Sequence, residues 1–309
     1  MILKKLIYIA LFAATFYACK KDKTDDDDQQ PSSTKLISGL TYGTSTKSFK
    51  AVDIATIVAL AGVDPIKLIA QIEHRGNAIT VDKQLDSTKV ILFGNPALGT
   101  PLMQKNQLVG LDLPQKLLIF KDASDSTKVA FNNVSYLKAR HDLGEIEALD
   151  NIEKALENFV NVSADGSLVE TEASSVVKEE GIITKTSTKS FLDTYNSLVE
   201  AITNNENLKL VVELDHQANA ASVDLELMPT RLVIFGNPNL GTPLMQNKQT
   251  TGIDLPQKML VWQDDEGVVK VSYNDPEYIK TRHGITKNED VLNNITNALD
   301  NLSNAAAGL

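Results

Sequence analysis

Phe93-Gly94-Asn95-Pro96-Ala97-Leu98-Gly99-Thr100-Pro101-Leu102-Met103-Gln104 returns as Phe235-Gly236-Asn237-Pro238-Asn239-Leu240-Gly241-Thr242-Pro243-Leu244-Met245-Gln246, an offset of 142 residues. The same offset holds without a gap over roughly a hundred positions, which marks a tandem duplication. It pairs Thr44–Phe49 with Thr186–Phe191, His74 with His216, Asp112 with Asp254, and His141 with His283. The period exceeds the roughly 20 to 50 residues of a solenoid unit. Each repeat of about 110 to 130 residues can bury its own core. The spacing therefore predicts two globular modules, over 35–160 and 181–305. Residues 161–180, rich in Ser, Glu, Asp and Gly, read as a linker.

Within each module the dodecamer sits between apolar runs. Ile66–Ile72, Lys89–Phe93, Leu117–Phe120 and Lys128–Phe131 read as strands, as do their counterparts Leu208–Leu214, Arg231–Phe235, Met259–Trp262 and Val268–Tyr273. Thr44–Phe49 suits a strand end or a cap before the helix at Ala51–Leu60. His74–Leu85 and Tyr136–His141 read as short helices, matched by His216–Leu227 and Tyr278–His283. Ile146, Leu149, Ile152 and Leu156 keep helical spacing, as do Val291, Ile295, Leu299 and Leu302. Hairpin-joined strands with helices on one face make an α+β class.

The chain carries 30 basic and 40 acidic residues, a net charge of −10. An acidic surface repels phosphate backbones and argues against nucleic acid as a partner. The only cysteine is Cys19, so no disulfide framework exists. Lys4 and Lys5 precede an apolar run, Leu6 to Phe16, of signal-peptide length. Phe16-Tyr17-Ala18-Cys19 then resembles a bacterial lipobox, with Phe16 where Leu is usual. That resemblance implies removal of residues 1–18, lipidation of Cys19, and a membrane anchor in the cell envelope, at the outer membrane. Residues 19–34, with Asp25–Asp28, read as a solvated acidic tether.

The repeated Phe-Gly-Asn-Pro-x-Leu-Gly-Thr-Pro-Leu-Met string, followed by Asp-Leu-Pro at 112–114 and 254–256, resembles the signature of the DUF302 family. Module two keeps the pattern through Tyr273-Asn274-Asp275-Pro276 and Arg282-His283-Gly284. Module one departs in this tail, where it has Phe131-Asn132-Asn133-Val134 and then Arg140-His141-Asp142. The resemblance implies two tandem two-layer modules of TBP-like topology, each an antiparallel sheet with helices on one face. It supplies a fold but no activity, and it leaves any cofactor unknown.

The candidate site gathers His74, Asn95, Thr100, Asp112 and His141, with His216, Asn237, Thr242, Asp254 and His283 as their duplicates. The Gly-Asn-Pro turn ends a strand. Thr100-Pro101 looks like a helix cap followed by Pro at the first helical position, an arrangement that could offer free N–H groups to an anion. His74 and His216 follow Glu73 and Asp215, a pairing suited to a base or simply to a cap. Arg140-His141 and Arg282-His283 close short helices, where cations favour the helix dipole. There is no Gly-x-Ser-x-Gly, no His-Glu-x-x-His and no close ligand pair at zinc spacing. The residues point first to binding of a small polar or anionic ligand or a protein partner. The alternatives are acid–base catalysis by a His/Asp/Asn constellation and a duplicated scaffold.

Overall fold

The computed structural model describes residues 36–309. The leader, Cys19 and the acidic tether lie outside the described residues. The first module runs β1 (Leu40–Ser45), α1 (Phe49–Ala61), β2 (Lys67–Glu73), α2 (His74–Ile79), β3 (Thr88–Gly94), α3 (Pro96–Lys105), a 3-10 turn (Gln107–Leu111), β4 (Gln115–Lys121), β5 (Thr127–Asn132), α4 (Val134–His141) and α5 (Glu147–Ser163). A short strand, β6 (Leu168–Glu170), follows. The second module repeats the order: β7 (Ile182–Thr186), α6 (Phe191–Thr203), β8 (Lys209–Asp215), α7 (His216–Ala221), β9 (Thr230–Gly236), α8 (Pro238–Asn247), a 3-10 turn (Gln249–Ile253), β10 (Gln257–Gln263), β11 (Val269–Asn274), α9 (Pro276–His283) and α10 (Glu289–Ala307).

Both sheets are antiparallel, in the orders β2-β3-β4-β5-β1-β6 and β7-β11-β10-β9-β8. Thr44–Phe49 serves as both strand end and cap. β1 stops at Ser45, and the Ser48 hydroxyl accepts from the Ala51 N–H to start α1. Residues 161–180 do more than connect the halves. They carry β6, which pairs with β1, and the Thr171 hydroxyl donates to backbone carbonyls at Ile37 and Leu40.

The inner strands β3, β4 and β9 are buried on both faces, which explains runs such as Val90-Ile91-Leu92-Phe93 in place of an alternating pattern, whereas the edge strands β2, β7 and β8 stay largely open. Ile91, Phe93, Leu117, Ile119, Val129 and Phe131 pack towards the helices, where α5 contributes Leu149, Ile152, Leu156 and Phe159. Val90, Leu92, Leu118 and Ala130 point the other way. They join Leu232, Ile234, Ile253 and Leu260 of the second module in a central core. The modules therefore meet sheet to sheet, with helices outside. The 3-10 turns press close to the opposite sheet: a Cβ on Gly110 would lie 2.9 Å from Leu260 Cδ1, and one on Gly252 would lie 3.0 Å from Leu118 Cδ1.

The interface is pseudo-twofold, and several of its contacts recur with the modules exchanged. Gln107 Nε2 donates to Thr230 Oγ1 at 2.8 Å, and Gln249 Nε2 to Thr88 Oγ1 at 2.7 Å. Gln104 and Gln246, the last residues of the two dodecamers, donate across to the carbonyls of Glu226 and Gln84.

Candidate functional site

The helix after the Gly-Asn-Pro turn begins earlier than the sequence suggests. Asn95, not Thr100, is the cap. Its side-chain oxygen accepts from the Ala97 N–H at 3.0 Å, and Pro96 takes the first helical position. Asn237 does the same for Asn239 at 2.9 Å. The anion cradle expected at this terminus is thus capped from within by the asparagine carbonyl. Thr100 and Thr242 lie inside the helices and are buried.

The ten candidate residues separate into two pockets and a buried cluster between the modules. His216, Asn95 and Thr100 line one pocket, and His74, Asn237 and Thr242 line another. Each pocket is composite. Module one supplies its own dodecamer, Leu113, Gln115 and the inner face of α5, while module two closes it with Leu214, His216 and Asn219. The reciprocal pocket takes His74 and Asn77 from module one. The first cavity measures about 240 Å³ and the second about 90 Å³. Both linings are mostly apolar.

The polar groups in the larger pocket are notable for lacking partners. Thr100 Oγ1, Gln115 Nε2 and His216 Nε2 are buried and unpartnered among the described residues. In the smaller pocket Thr242 Oγ1 and Gln257 Nε2 share that condition, but His74 Nε2 donates to the Gly252 carbonyl at 3.1 Å. Burial pulls both imidazoles down to about 4, so they are neutral near pH 7. The acidic residues beside them are engaged elsewhere. Asp215 accepts from the Ala218 N–H and from Arg231, and Glu73 pairs with Lys89.

Asp112, His141, Asp254 and His283 meet in a different place, at the centre of the module interface. Arg140 Nη1 donates to Asp112 Oδ2 at 2.8 Å, and His141 Nε2 donates to the same oxygen at 2.8 Å. Arg282 and His283 repeat this on Asp254 at 2.9 and 2.8 Å. Each guanidinium then crosses the interface: Arg140 Nη2 reaches Asn274 and Arg282 Nη2 reaches Asn132. Burial pushes the Asp112 carboxyl up, but Arg140, the His141 hydrogen bond and Lys116 outweigh it and hold it well below its usual range. Asp254 is lowered likewise, against burial, by Arg282 and His283. Burial lowers His141 and His283 despite their aspartate partners. His283 Nδ1 also accepts from the Thr250 hydroxyl at 3.0 Å, a bond without a counterpart in module one, where Leu108 stands at that position.

The Asp112–His141 and Asp254–His283 pairs have the distance of an acid–base dyad, but their side chains are at most 1% exposed. They form a closed ionic lock. The expected His/Asp/Asn constellation is therefore divided: its histidine–aspartate pairs, each within one module, anchor the arginines that cross the interface, and its other histidines face the pockets. Gln115, Asn132 and Tyr136 were missed as candidates, although Gln257, Asn274 and Tyr278 repeat each at the same offset.

The family described as "Domain of unknown function DUF302" matches residues 42–159 and again 183–302. A curated protein named "Fluoride-specific ion channel FluC 1", from Brucella suis biovar 1 (strain 1330), is 39% identical over 113 residues, covering 37% of this chain and 44% of that protein. "Fluoride-specific ion channel FluC 2" from Brucella melitensis biotype 1 (strain ATCC 23456 / CCUG 17765 / NCTC 10094 / 16M) is also 39% identical over 113 residues, covering 42% of its length. The chain spans less than half the length of these curated relatives. A solved structure, the crystal structure of an uncharacterized conserved protein DUF302 from Bacillus stearothermophilus, is 16% identical with a TM-score of 0.38, over 41% of this chain and 98% of that one.

Proposed function

We propose, for a chain that belongs to the DUF302 family in both of its halves, that it is a small-molecule-binding protein of the bacterial envelope, anchored through a lipid on Cys19. The observation that carries the binding reading is the composite pocket. The repeated dodecamer of one module and the helix-start histidine of the other line a single cavity, twice. A mostly apolar concavity with a few convergent polar groups is the usual form of a small-ligand site. Buried polar groups without partners are costly, and a ligand that pairs them recovers that cost. The anchor rests on the lipobox-like Phe16-Tyr17-Ala18-Cys19 alone. Several acyl chains, at about 0.8 kcal/mol for each buried CH₂, would hold the protein at a bilayer.

Acid–base catalysis is the weaker reading, because the paired histidines and aspartates are sealed from solvent. The channel activity in the relatives' name is not carried over. The alignment is about one module long and leaves more than half of each relative unmatched.

Native mass spectrometry of the full chain, purified from its own host before and after mild denaturation, tests the binding reading. We expect a small organic mass that leaves on unfolding. A bare mass at both stages, together with no uptake from a host metabolite extract, sinks it. The anchor is tested by intact mass: a chain beginning at Cys19 and carrying acyl groups is expected, and an unmodified thiol refutes it.

A further inference from the structure

We propose that the larger pocket, in module one, takes one uncharged amphiphile, its carbonyl or hydroxyl group held by Thr100, Gln115 and His216 and its apolar body lying against Met103 and Leu156. This rests on the pocket reading above and specifies its ligand. Three observations carry it: the depth of the polar groups, their lack of charge, and the difference between the two pockets.

Thr100 is 0% exposed, His216 4% and Gln115 8%, whereas Lys67 and Leu68 on β2, which also line the pocket, are exposed. The polar trio therefore lies at the deep end and the lysine at the rim. A carboxylate at Lys67 with an apolar tail pointing inward would leave all three deep groups unpaired. The reverse pose would bury a carboxylate against an amide, a hydroxyl and a neutral imidazole, with no cation to compensate it. A neutral oxygen can pair with these groups without that penalty. Gln115 Nε2 donates, the Thr100 hydroxyl can donate or accept, and His216 Nε2 does either according to its tautomer.

The size follows from the volume. A dry cavity of about 150 Å³ admits benzene, so 240 Å³ corresponds to about ten non-hydrogen atoms. At 90 Å³ the second pocket is below the benzene scale, and its histidine is already bonded to Gly252. The two sites share their residue types but differ in capacity, so binding is expected at one site per chain.

The test uses the full chain carrying ¹³C-methyl methionine. Met103 lines the larger pocket, Met245 the smaller one, and Met259 in the core reports the fold. Three probes of similar shape are titrated: benzylacetone, butylbenzene and phenylbutyrate. We expect benzylacetone to shift Met103 and leave Met245 in place, binding about fivefold or more tighter than the other two, the worth of one net hydrogen bond. Thr100→Val and Gln115→Met should each weaken benzylacetone about fivefold and leave butylbenzene unchanged, with the Met259 signal in its native position. Equal binding of butylbenzene, tighter binding of phenylbutyrate, or matching shifts at Met245 would overturn the inference and leave the pocket reading standing. If no probe moves either methionine, the pocket reading falls with it.

Discussion

The phenol oxygens of Tyr136 and Tyr278 lie 3.0 Å apart, each residue meeting its own duplicate across the module interface. The guanidinium of Arg282 stacks 4.1 Å from the Tyr136 ring, and that of Arg140 lies 4.5 Å from the Tyr278 ring. A self-paired residue of this kind lies on the pseudo-twofold axis. Tyr→Phe at either position keeps the ring and its cation contact but strands one buried hydroxyl. Each single variant should lose about 1 kcal/mol, and the double variant no more than either, because it removes both halves of the bond. Urea unfolding of the two singles and the double measures this. Additive losses would mean that the hydroxyl contact is not the source.

The ionic lock should be far less tolerant. Asp254→Asn leaves Arg282 buried without its counter-charge, and breaking such a pair costs about 3 to 5 kcal/mol. His283→Gln, which spares the Arg282–Asp254 pair, should cost less. Chemical denaturation of both variants gives the order, and a reversed order would refute this account of the lock.

Acid should loosen the fold well before the aspartates titrate. Burial lowers all four histidines, His74 and His216 to about 4. An unfolded chain binds those protons at the ordinary value of 6.5, so between the two values the unfolded state holds more protons than the native one. Stability is therefore full above about pH 6.5 and falls as pH drops towards 4. Each kcal/mol lost should lower Tm by roughly 2 to 4 °C in a domain of this size. Calorimetry from pH 8 to 4 reads the slope, and a flat Tm between pH 7 and 5 would contradict it. His216→Asn should reduce the slope.

Thr100→Val offers a sharper test of what the larger pocket is for. The Thr100 hydroxyl is buried with no partner among the described residues, a condition that costs roughly 1 to 3 kcal/mol. Valine has nearly the same shape and removes the penalty. The variant should melt higher than the parent while binding less well. A lower Tm would show that the hydroxyl is satisfied in the native protein.

Much of this arrangement was legible in the repeat. The offset of 142 revealed the two modules, and apolar runs such as Leu117–Phe120 read as strands because they are short and bounded by Pro114 and by Lys121-Asp122. Two things were not legible. Asn95 took the cap from Thr100 because Asn and Thr compete for that role, and only the backbone course decides between them. The candidate residues were also assigned to one site, whereas His74 serves the pocket of the other module and Asp112 faces neither pocket. Spacing along a chain cannot reveal an exchange between its halves. The signal that could have warned of it was the identity of Gln115, Lys116, Asn132 and Tyr136 with their duplicates, since interface positions constrain one another.

The exchange of His74 and His216 between the halves gives the duplication a history. Neither half holds a complete pocket, so an ancestor with one copy would have needed to pair with itself to make one. The present chain then amounts to a homodimer sealed into one polypeptide. Residues 161–180 turn a concentration-dependent encounter into an intramolecular one. A true homodimer must encode both pockets identically, so a change that suits one is imposed on the other. Fusion lifts that constraint, and the two cavities here have diverged: one histidine is tied to Gly252 and the other faces an ample space. The second copy thereby became free to act as a fixed wall for the first.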